Sequence, residues 1–407
     1  MNGSGRVHRE AYDQSKCCDI VLNYACQARC RFCSQDFEWR KNPNLMPFKL
    51  VAEKMYLAYR DGYRRLGFTG GEPTLRKDLP KIISLATKIG FHYVRIQTNG
   101  LRLADEAYAR ELAEAGLAFV KFSIHGHDAE THDALTLVPG SFDACMKAAE
   151  NLKRVRVGAG VNIVLNKLNY RRLRELFELL LLKLKLSDFV IIAPIYEGNM
   201  ELHVEEMGVR LSDAAPYVRE VYALFSRVGF PKPPLLLHFT PCLLPGYEEQ
   251  MLGWSAFNTM VISPAGEAQD LDEAAANQTV KAPGCRECVY NDRCIGLDKT
   301  YAEHFGLGEL VSLKEVPARY DAGAGPERRE LLTDNERCVL VVLKDEGGLS
   351  TEVFLKNASR YGICKNCKDQ NAVLSAAQTL VRMGLVEKRF EKGRYVWGLL
   401  EAGRARA

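Results

Sequence analysis

The sequence lacks long hydrophobic runs, internal repeats and low-complexity segments. No stretch of about 18 uncharged apolar residues occurs, so no membrane-spanning helix is predicted. Charge of one sign is also scarce, because the formal net charge is only +4 over 407 residues. Residues 328–407 hold 15 Lys and Arg against 10 Asp and Glu. A mildly basic stretch of this kind suits an acidic partner, but it is more often a solvated face.

A signal segment is missing as well, because the opening MNGSGRVHREAYDQ contains no apolar run. The 13 cysteines are an odd number, which argues against a complete disulfide framework in a secreted protein. Thiols stay reduced in the cytosol. We therefore expect a cytoplasmic protein without a membrane segment, whose cysteines serve purposes other than disulfides.

Strand-like and helical patterns alternate between residue 19 and about residue 240. Short apolar runs separated by amphipathic stretches indicate parallel β/α units. The fold class is therefore α/β, with a partial (β/α)6 TIM-like barrel, in which chemistry lies where strands end and loops begin. The six predicted strands are DIVLNY (19–24), RRLGFT (64–69), HYVRIQT (92–98), AFVKFSI (118–124), VGAGVNIVL (157–165) and DFVIIAPI (188–195).

The periodicity changes beyond residue 240, which divides the chain into further segments. A small cysteine-rich α+β extension is predicted over 241–305, a Gly- and Pro-containing linker over 306–330, and a separate domain over 331–407. The sequence TDNE from Thr333 is typical of a helical capping box. Three helices followed by a two-stranded ribbon form the winged-helix pattern. With an N-terminal segment 1–18 and the barrel 19–240, five segments are predicted.

The stretch CQARCRFC places Cys26, Cys30 and Cys33 directly after the first strand. Structural zinc normally uses four ligands, often as two close pairs. Iron–sulfur clusters are held by cysteine thiolates at short loop spacings, and three thiolates fit a four-iron cluster with one iron left open. The spacing by itself favours the cluster over zinc or disulfides without deciding among them.

Further motifs follow the next three strands: GGEPTL after strand two, QTNG at the end of strand three and SIHGH at the end of strand four. Glycines at such places let the backbone approach a ligand closely. The combination of CQARCRFC and GGEPTL, one β/α unit apart, resembles the radical S-adenosylmethionine (SAM) superfamily over residues 19 to about 240.

The resemblance implies two cofactors and a set of residues that hold them. Cys26, Cys30 and Cys33 would bind three irons of a [4Fe–4S] cluster, and SAM would bind the fourth iron through its amino and carboxylate groups. Glu72 would add a countercharge to the ammonium group, and the Phe32 backbone would contact the adenine. The implied SAM-binding residues are Phe32, Gly70, Gly71, Glu72, Pro73, Asn99, Ser123 and Asn162.

The activity implied by the resemblance is reductive cleavage of SAM to a 5′-deoxyadenosyl radical, which abstracts a hydrogen from the substrate. The resemblance also implies a low-potential electron donor, flavodoxin- or ferredoxin-like, as a partner. The protein's own part is to hold the cofactor, orient the substrate and exclude water. The alternative is that the cysteines bind a structural metal and that the GGEP turn has no part in cofactor binding.

A second cysteine group, CRECVYNDRC, contains Cys285, Cys288 and Cys294 at C-x2-C-x5-C spacing. It resembles the auxiliary-cluster extensions called SPASM and twitch, which implies a second [4Fe–4S] cluster. The full SPASM pattern has a cysteine where this chain has Leu271, and another where it has Asp298. Cys242 is therefore expected as the fourth ligand and Asp298 is its rival, with a four-thiolate zinc site as the alternative.

Other residues of the cysteine and histidine classes are expected to be structural. The three histidines of SIHGHDAETHD, at 125, 127 and 132, would orient substrate or cap a helix more often than bind metal. Cys364 and Cys367 form CKNC, which has the spacing of a redox pair but lacks its βα context. Isolated buried cysteines commonly act as small hydrophobic residues.

The predicted substrate is a peptide or protein, by analogy with families that carry this extension. A small metabolite, cofactor precursor or RNA nucleoside is the alternative substrate. An iron–sulfur regulator that binds DNA through the winged helix is an alternative of another class, although the GGEPTL turn argues against it. Nucleic-acid binding has thin support, because the predicted recognition helix QNAVLSAAQTLVRMG contains one cation, Arg382, and the ribbon supplies Lys388, Arg389, Lys392 and Arg394.

Overall fold

The computed structural model describes residues 16–35, 45–230, 232–254, 257–320, 334–346, 348–358, 370–382, 385–391 and 394–404. The chain forms two compact units. The first comprises residues 1–221 and 234–319, and the second comprises residues 222–233 and 320–407. No helix within the described residues is long and apolar enough to cross a membrane.

The first unit is built on one nine-stranded sheet in the order β7-β6-β5-β4-β3-β2-β1-β8-β9. Strands β1 to β8 are joined by parallel pairs, and β9 is antiparallel to β8. The strands are β1 Cys17–Val21, β2 Arg65–Thr69, β3 Tyr93–Thr98, β4 Phe119–Ser123, β5 Gly158–Val164, β6 Phe189–Ile192, β7 Leu235–Leu237, β8 Thr259–Ile262 and β9 Ala268–Asp270.

The prediction of a partial α/β barrel is confirmed, and its six strands are those the periodicity indicated. The strand β7 and the β8–β9 hairpin extend the sheet beyond these six strands. The run LLL at Leu235–Leu237 is only three residues long, too short to produce a clear alternation. Buried apolar residues from neighbouring strands, such as Ile20, Phe68, Ile96 and Val120, form the centre of the sheet.

Helices between the strands cover the sheet. The helix α1 shows why these segments are helical, since Val51, Met55 and Ala58 recur at helical spacing and are its buried residues. The helices of this part are α1 Phe48–Arg60, α2 Leu79–Ile89, α3 Glu106–Glu114, α4 Ala129–Thr136, α5 Ser141–Arg154, α6 Leu173–Glu178, α7 Asn199–Leu202, α8 Val204–Met207 and α9 Leu211–Val228. A π-helical turn, Leu179–Lys183, continues α6.

The cysteine-rich extension meets both edges of the barrel sheet. The Leu252 N–H donates to the Leu236 carbonyl of β7 (2.7 Å), and β8 pairs with β1. Residues 251–254 therefore lie at one edge of the partial barrel, and residues 257–262 lie at the other. The extension also contains helices α10 Leu271–Gln278 and α11 Lys299–Phe305 and the short antiparallel pair β10 Thr279–Val280 and β11 Leu297–Asp298.

The C-terminal part of the second unit contains three main helices and a three-stranded antiparallel sheet, β12-β14-β13. Trp397 is fully buried in its core. One more strand is present than the predicted ribbon, because Leu349–Ser350 joins its edge. The predicted capping residue Thr333 lies outside the described residues. The elements are α12 Asp334–Glu346, β12 Leu349–Ser350, α13 Thr351–Ala358, α14 Gln370–Arg382, β13 Val386–Glu391, β14 Arg394–Leu399 and α15 Glu401–Arg404.

Candidate active site

The loop that carries the first three cysteines follows β1 and is fixed to the end of α4. The backbone N–H of Arg29 donates to the Thr136 carbonyl (3.1 Å), and that of Arg31 donates to the Leu135 carbonyl (3.0 Å). Backbone hydrogen bonds to a helix end leave little freedom to a loop. These contacts join residues more than 100 positions apart, so no local sequence pattern predicts them.

A second element holds the same loop near α7. The Asn199 side-chain amide donates to the Cys30 carbonyl (3.0 Å), and the Met200 N–H donates to the Cys33 carbonyl (3.2 Å). The thiols of Cys26, Cys30 and Cys33 remain half-buried. The structure thus presents three thiols on one restrained loop at the carboxyl end of the parallel strands, as the sequence predicted for their position.

The GGEP turn lies directly against the residues that precede Cys26. The Gly71 N–H donates to the Asn23 carbonyl (2.8 Å), and the Glu72 N–H donates to the Ala25 carbonyl (2.7 Å). A Cβ on Gly70 would overlap the Asn23 carbonyl oxygen, and one on Gly71 would overlap the carbonyl oxygens of residues 24 and 25. Glycine is required here because two backbone segments touch, and the predicted contact of these glycines with SAM stays a prediction.

Glu72 is completely buried, and four donors surround its carboxylate. Its Oε1 accepts from Thr74 N (2.9 Å), Thr74 Oγ1 (2.6 Å) and Thr98 Oγ1 (2.7 Å), and its Oε2 accepts from Asn99 N (2.8 Å). Burial raises the pKa of Glu72, and these hydrogen bonds oppose the rise. In the structure, the Glu72 carboxylate joins the GGEP turn to the end of β3. The turn continues through Pro73, which is buried. Its role as a countercharge to SAM stays a prediction.

Asn99 contacts the cysteine loop directly. Its Oδ1 accepts from the Leu101 N–H (3.1 Å) and from Gln27 Nε2 (3.4 Å), which leaves Nδ2 facing the Cys26 sulfur at 3.8 Å. Hydrogen bonds to cysteine sulfur are one means by which proteins set the potential of an iron–sulfur cluster. The strand-end motif QTNG pointed to this residue, but its contact with Cys26 was visible only in the structure.

Ser123 and Asn162, which were predicted from separate strand ends, are brought together. They are register neighbours in the parallel pair β4–β5 and are both partly exposed. Their polar groups therefore lie at one edge of the sheet, on the side where the chain leaves β4. Contact of either residue with a cofactor stays a prediction.

His125 packs against the cysteine loop, and one of its ring nitrogens finds no hydrogen-bond partner in the described part of the chain. Its ring centroid lies 4.2 Å from that of Phe32. Its Nδ1 accepts from the Val164 N–H (3.1 Å), and its Nε2 is buried without a hydrogen-bond partner among the described residues. Burial lowers the pKa of His125, so the neutral ring carries its proton on Nε2. An unsatisfied buried donor is costly, and a ligand acceptor beside Phe32 would satisfy it.

The residues present fit the implied cofactors. Three thiols are the donor set of an iron–sulfur cluster with an open iron, an amide already points at one of them, and an unsatisfied donor lies beside their loop. Within the described residues, no group of three or more His, Cys, Asp or Glu side chains is arranged to hold a single metal ion.

The other predicted cysteines meet around a second, small pocket. Thiols of Cys242, Cys285, Cys288 and Cys294 all line it, although Cys242 is more than 40 residues upstream of the others. Burial raises the pKa values of Cys242 and Cys294, and the nearby Cys285 thiolate raises them further. Four thiols are the type of donor set that a four-iron cluster or zinc uses, although within the described residues these four are not arranged to hold a single metal ion.

Asp298, the rival fourth ligand, is engaged elsewhere. It is the N-cap of α11, and its Oδ1 accepts from Thr300 N (2.9 Å), Thr300 Oγ1 (2.5 Å) and Tyr301 N (3.2 Å). A capping carboxylate of this kind stabilises the first turn of a helix. The arrangement favours Cys242 over Asp298 as the fourth thiol-pocket ligand.

The remaining described cysteines are buried. Burial raises the pKa of Cys17 to about 11 and that of Cys145 to about 12, which makes both thiols poor nucleophiles. Cys145 donates to the Asn99 carbonyl (3.1 Å) and so supports the end of β3. Cys364 and Cys367 lie outside the described residues.

Comparison with known proteins agrees with this site. The profile of the "Radical SAM superfamily" matches residues 20–180, which include the three cysteines, the GGEP turn and the ends of β3, β4 and β5. A curated relative, Fe-coproporphyrin III synthase of Methanosarcina barkeri (strain Fusaro / DSM 804), is 39% identical over 113 residues. That alignment covers 28% of each of the two chains.

Solved structures share the fold at low sequence identity. Streptococcus suis SuiB bound to S-adenosylmethionine has a TM-score of 0.56 at 16% identity, over 76% of this chain and 77% of SuiB. Native anSMEcpe with bound AdoMet has a TM-score of 0.53 at 15% identity, over 75% of this chain and 93% of that chain. The profile match identifies residues 20–180 as a radical SAM superfamily domain, and the solved structures share its fold.

Proposed function

We propose that the protein is a radical SAM enzyme that removes a hydrogen atom from its substrate. The observation that carries this proposal is the restrained loop with three half-buried thiols, held beside the Glu72–Asn99 network. A [4Fe–4S] cluster with SAM, when bound, supplies one-electron cleavage of a sulfonium and so makes hydrogen abstraction available.

The chain's own residues would hold and orient these groups. Cys26, Cys30 and Cys33 would bind the cluster, Asn99 would donate to the Cys26 sulfur, and the Nε2 of His125 would donate to a ligand acceptor. The buried network under them keeps these atoms in place before any ligand arrives. Preorganisation of this kind lowers the cost of orienting a reactive cofactor.

The pocket lined by Cys242, Cys285, Cys288 and Cys294 would hold an auxiliary [4Fe–4S] cluster. Its support is the convergence of four thiols, one of them remote in sequence, while Asp298 is used as a helix cap. In a cluster each thiolate binds a different iron, whereas zinc draws all four ligands to one ion. Metal analysis therefore distinguishes the two.

The proposed substrate class is a peptide or protein. Its support is the kind of structure that shares this fold: SuiB is solved with the precursor peptide SuiA, and anSMEcpe is solved with the Cp18Cys peptide. Both likenesses lie below 20% identity, so they bear on the fold and supply only an analogy for the substrate. A low-potential flavodoxin- or ferredoxin-like donor would supply the electron.

A small molecule is the second candidate substrate. The observation in its favour is the 39% identity with Fe-coproporphyrin III synthase over 113 residues, or 28% of this chain. A DNA-binding iron–sulfur regulator is the remaining alternative, and it has no need for SAM cleavage.

The test is anaerobic incubation of iron-reconstituted, reduced protein with SAM. Formation of 5′-deoxyadenosine is expected with the wild-type chain. Absence of that product, together with tight sequence-specific DNA binding, would reject the enzyme in favour of the regulator. Addition of candidate peptides and of small molecules to separate reactions then distinguishes the two substrate classes by which product appears.

A further inference from the structure

The partial barrel encloses a cavity of about 400 Å³, a size within the range of about 300–1,000 Å³ for small-molecule sites. Its walls come from inward-facing residues of β1 to β7, and the extension closes it through Leu252, residues 257–259 and one face of α10. We call this space the lumen. Its charged wall residues are Asp19, Arg65, Arg95, Lys121 and Asp188.

An ion pair crosses a glycine on one side of the lumen. Asp19 of β1 and Arg95 of β3 are both register neighbours of Gly67, which lies between them on β2. The Arg95 Nη2 donates to Asp19 Oδ1 (2.9 Å) and Oδ2 (2.7 Å). A Cβ on Gly67 would overlap the Asp19 carboxylate, so the missing side chain of β2 is what lets the two strands pair.

A second ion pair across a glycine occurs on the opposite side of the lumen. Lys121 of β4 forms an ion pair with Asp188, which directly precedes β6. Gly160 of the intervening strand β5 is the register neighbour of Lys121, and a Cβ there would overlap Asp188. Two strands thus lack a side chain at the place where charged residues of their neighbours meet inside the barrel.

Burial of these charged residues inside the barrel costs free energy. Removal of an ion from water costs several kcal/mol, and apolar residues of similar volume are often as stable or more so. The lumen nevertheless holds three cations against two carboxylates, and burial lowers the pKa of His238, which keeps that wall residue neutral. A guanidinium between low-dielectric walls attracts an anionic ligand.

Arg95 retains donors that Asp19 does not use. Both hydrogen bonds to Asp19 come from Nη2, and the buried Nε has no hydrogen-bond partner among the described residues. A guanidinium has five N–H donors in a planar fork that matches a carboxylate. Arg95 can therefore hold Asp19 and a ligand carboxylate together.

The strand β3, which lines the lumen, runs toward the cysteine loop. Tyr93, Arg95 and Gln97 line it in succession along β3, and Gln97 is two residues, or about 7 Å of strand, from Asn99. Asn99 in turn contacts Cys26. A ligand anchored at Arg95 would extend past the amides of Gln97 and Asn162 toward the thiols.

We infer that the lumen binds the substrate through a carboxylate group, for which Arg95 is the principal anchor. That the bound molecule is the substrate rests on the proposed function. Carboxylate binding by the lumen can be tested without turnover. It applies to an acidic side chain of a peptide and to a carboxylate of a small molecule alike, because the recognised chemistry is the same.

The test measures binding of glutarate, with neutral glutaramide as its isosteric control, to the iron-reconstituted full chain by calorimetry at low salt. Glutarate is expected to bind at least tenfold more tightly than glutaramide. Asp19→Asn should tighten glutarate binding further, since it releases Arg95 and removes a negative charge. Asp19→Asn combined with Arg95→Gln should abolish the preference, because it removes the anchor, and it replaces both partners of the ion pair so that neither is left buried without the other.

Two further variants locate the effect. Asn162→Asp places a negative charge in the lumen and should weaken glutarate binding, whereas Arg60→Gln removes an exposed arginine on α1 and should change nothing. Equal binding of glutarate and glutaramide to the wild-type chain, or an unchanged preference in the double variant, overturns the inference. The proposed function fails separately, through absence of 5′-deoxyadenosine, whatever glutarate does.

Discussion

Glu72 and Asn99 act at the scale of single residues, where one side chain fixes the next. Glu72 has no exposed surface and gathers four hydrogen bonds, one of them from the backbone of Asn99. Asn99 then presents its amide to the sulfur of Cys26. Glu72, which the motif suggested as a ligand contact, therefore also supports Asn99, the residue beside the Cys26 thiol.

Replacement of Glu72 by Ala is expected to destabilise the protein. It leaves buried donors of Thr74, Thr98 and Asn99 unpaired, and each unsatisfied group costs about 1–3 kcal/mol. The midpoint of thermal unfolding should fall clearly for Glu72→Ala and stay unchanged for Glu111→Ala, an exposed carboxylate of α3. Reduced SAM affinity with an unchanged midpoint would indicate instead that the carboxylate serves only the cofactor.

Replacement of Cys30 by Ala is expected to abolish 5′-deoxyadenosine formation, because it removes one of the three proposed iron ligands from the loop. The control is Cys338→Ala, which removes a buried thiol from the second unit and should keep the wild-type rate. The product is quantified after anaerobic reduction with SAM. A Cys30→Ala protein that still forms 5′-deoxyadenosine at the wild-type rate contradicts the radical assignment.

At the scale of elements, the cysteine-rich extension collects its thiols from separate segments. Cys242 follows β7, and the other three lie between β10 and β11. The extension in addition bridges the edges of β7 and β1. The extension therefore both forms the thiol pocket and closes the lumen. Its sequence motifs do not indicate that one segment has both roles.

Iron content tests which residue completes this pocket. Anaerobically reconstituted protein is expected to contain about eight iron atoms per chain, four per cluster. Cys242→Ala should lower the content toward four, whereas Asp298→Asn, which keeps the helix cap, should leave it near eight. Iron near four with stoichiometric zinc in the wild-type chain would replace the auxiliary cluster by a zinc site, and the reverse response of the two variants would make Asp298 the ligand.

At the scale of the whole molecule, the chain divides into two units of different character. The C-terminal part has its own core around Phe354 and Trp397, and the Trp397 indole donates to Thr351 Oγ1 (2.9 Å). Exposed Lys388 and Arg389 lie on β13. Arg389 is already paired with Glu387 and Glu391, which reduces the positive surface available to nucleic acid.

Deletion of residues 328–407 is expected to spare SAM cleavage without substrate and to weaken substrate binding, because the predicted site residues all precede residue 295. The two activities are measured separately, as 5′-deoxyadenosine without substrate and as substrate affinity. Loss of substrate-free cleavage would mean that the tail completes the active site. Nucleic-acid binding by the tail would be recognised by an affinity that falls steeply with added salt, and it should weaken in Lys388→Gln.

Much of the fold and the first site could be predicted because both depend on local order in the chain. Apolar runs of period two and helical stripes gave six strands within a few residues, and strand ends located GGEP, QTNG and SIHGH at one edge of the sheet. β7 escaped prediction, since a strand of three residues carries little periodic signal, and so did the pairing of β8 with β1, because it joins residues distant in sequence. The contact of His125 with Phe32 escaped as well, because it joins residues 93 positions apart.

The sequence by itself determined the kinds of donor, their spacing along the chain and the strands that carry them, because these are properties of neighbouring residues. Only the tertiary structure decided that Cys242 meets Cys285, that Asp298 caps a helix, and that Asp19 reaches Arg95 over Gly67. Such pairings depend on register between distant strands and on space left by absent side chains. In the sequence, a glycine within a strand indicates only a weakened strand. The neighbouring strands in the sheet show which side chains fill the space that its missing side chain leaves.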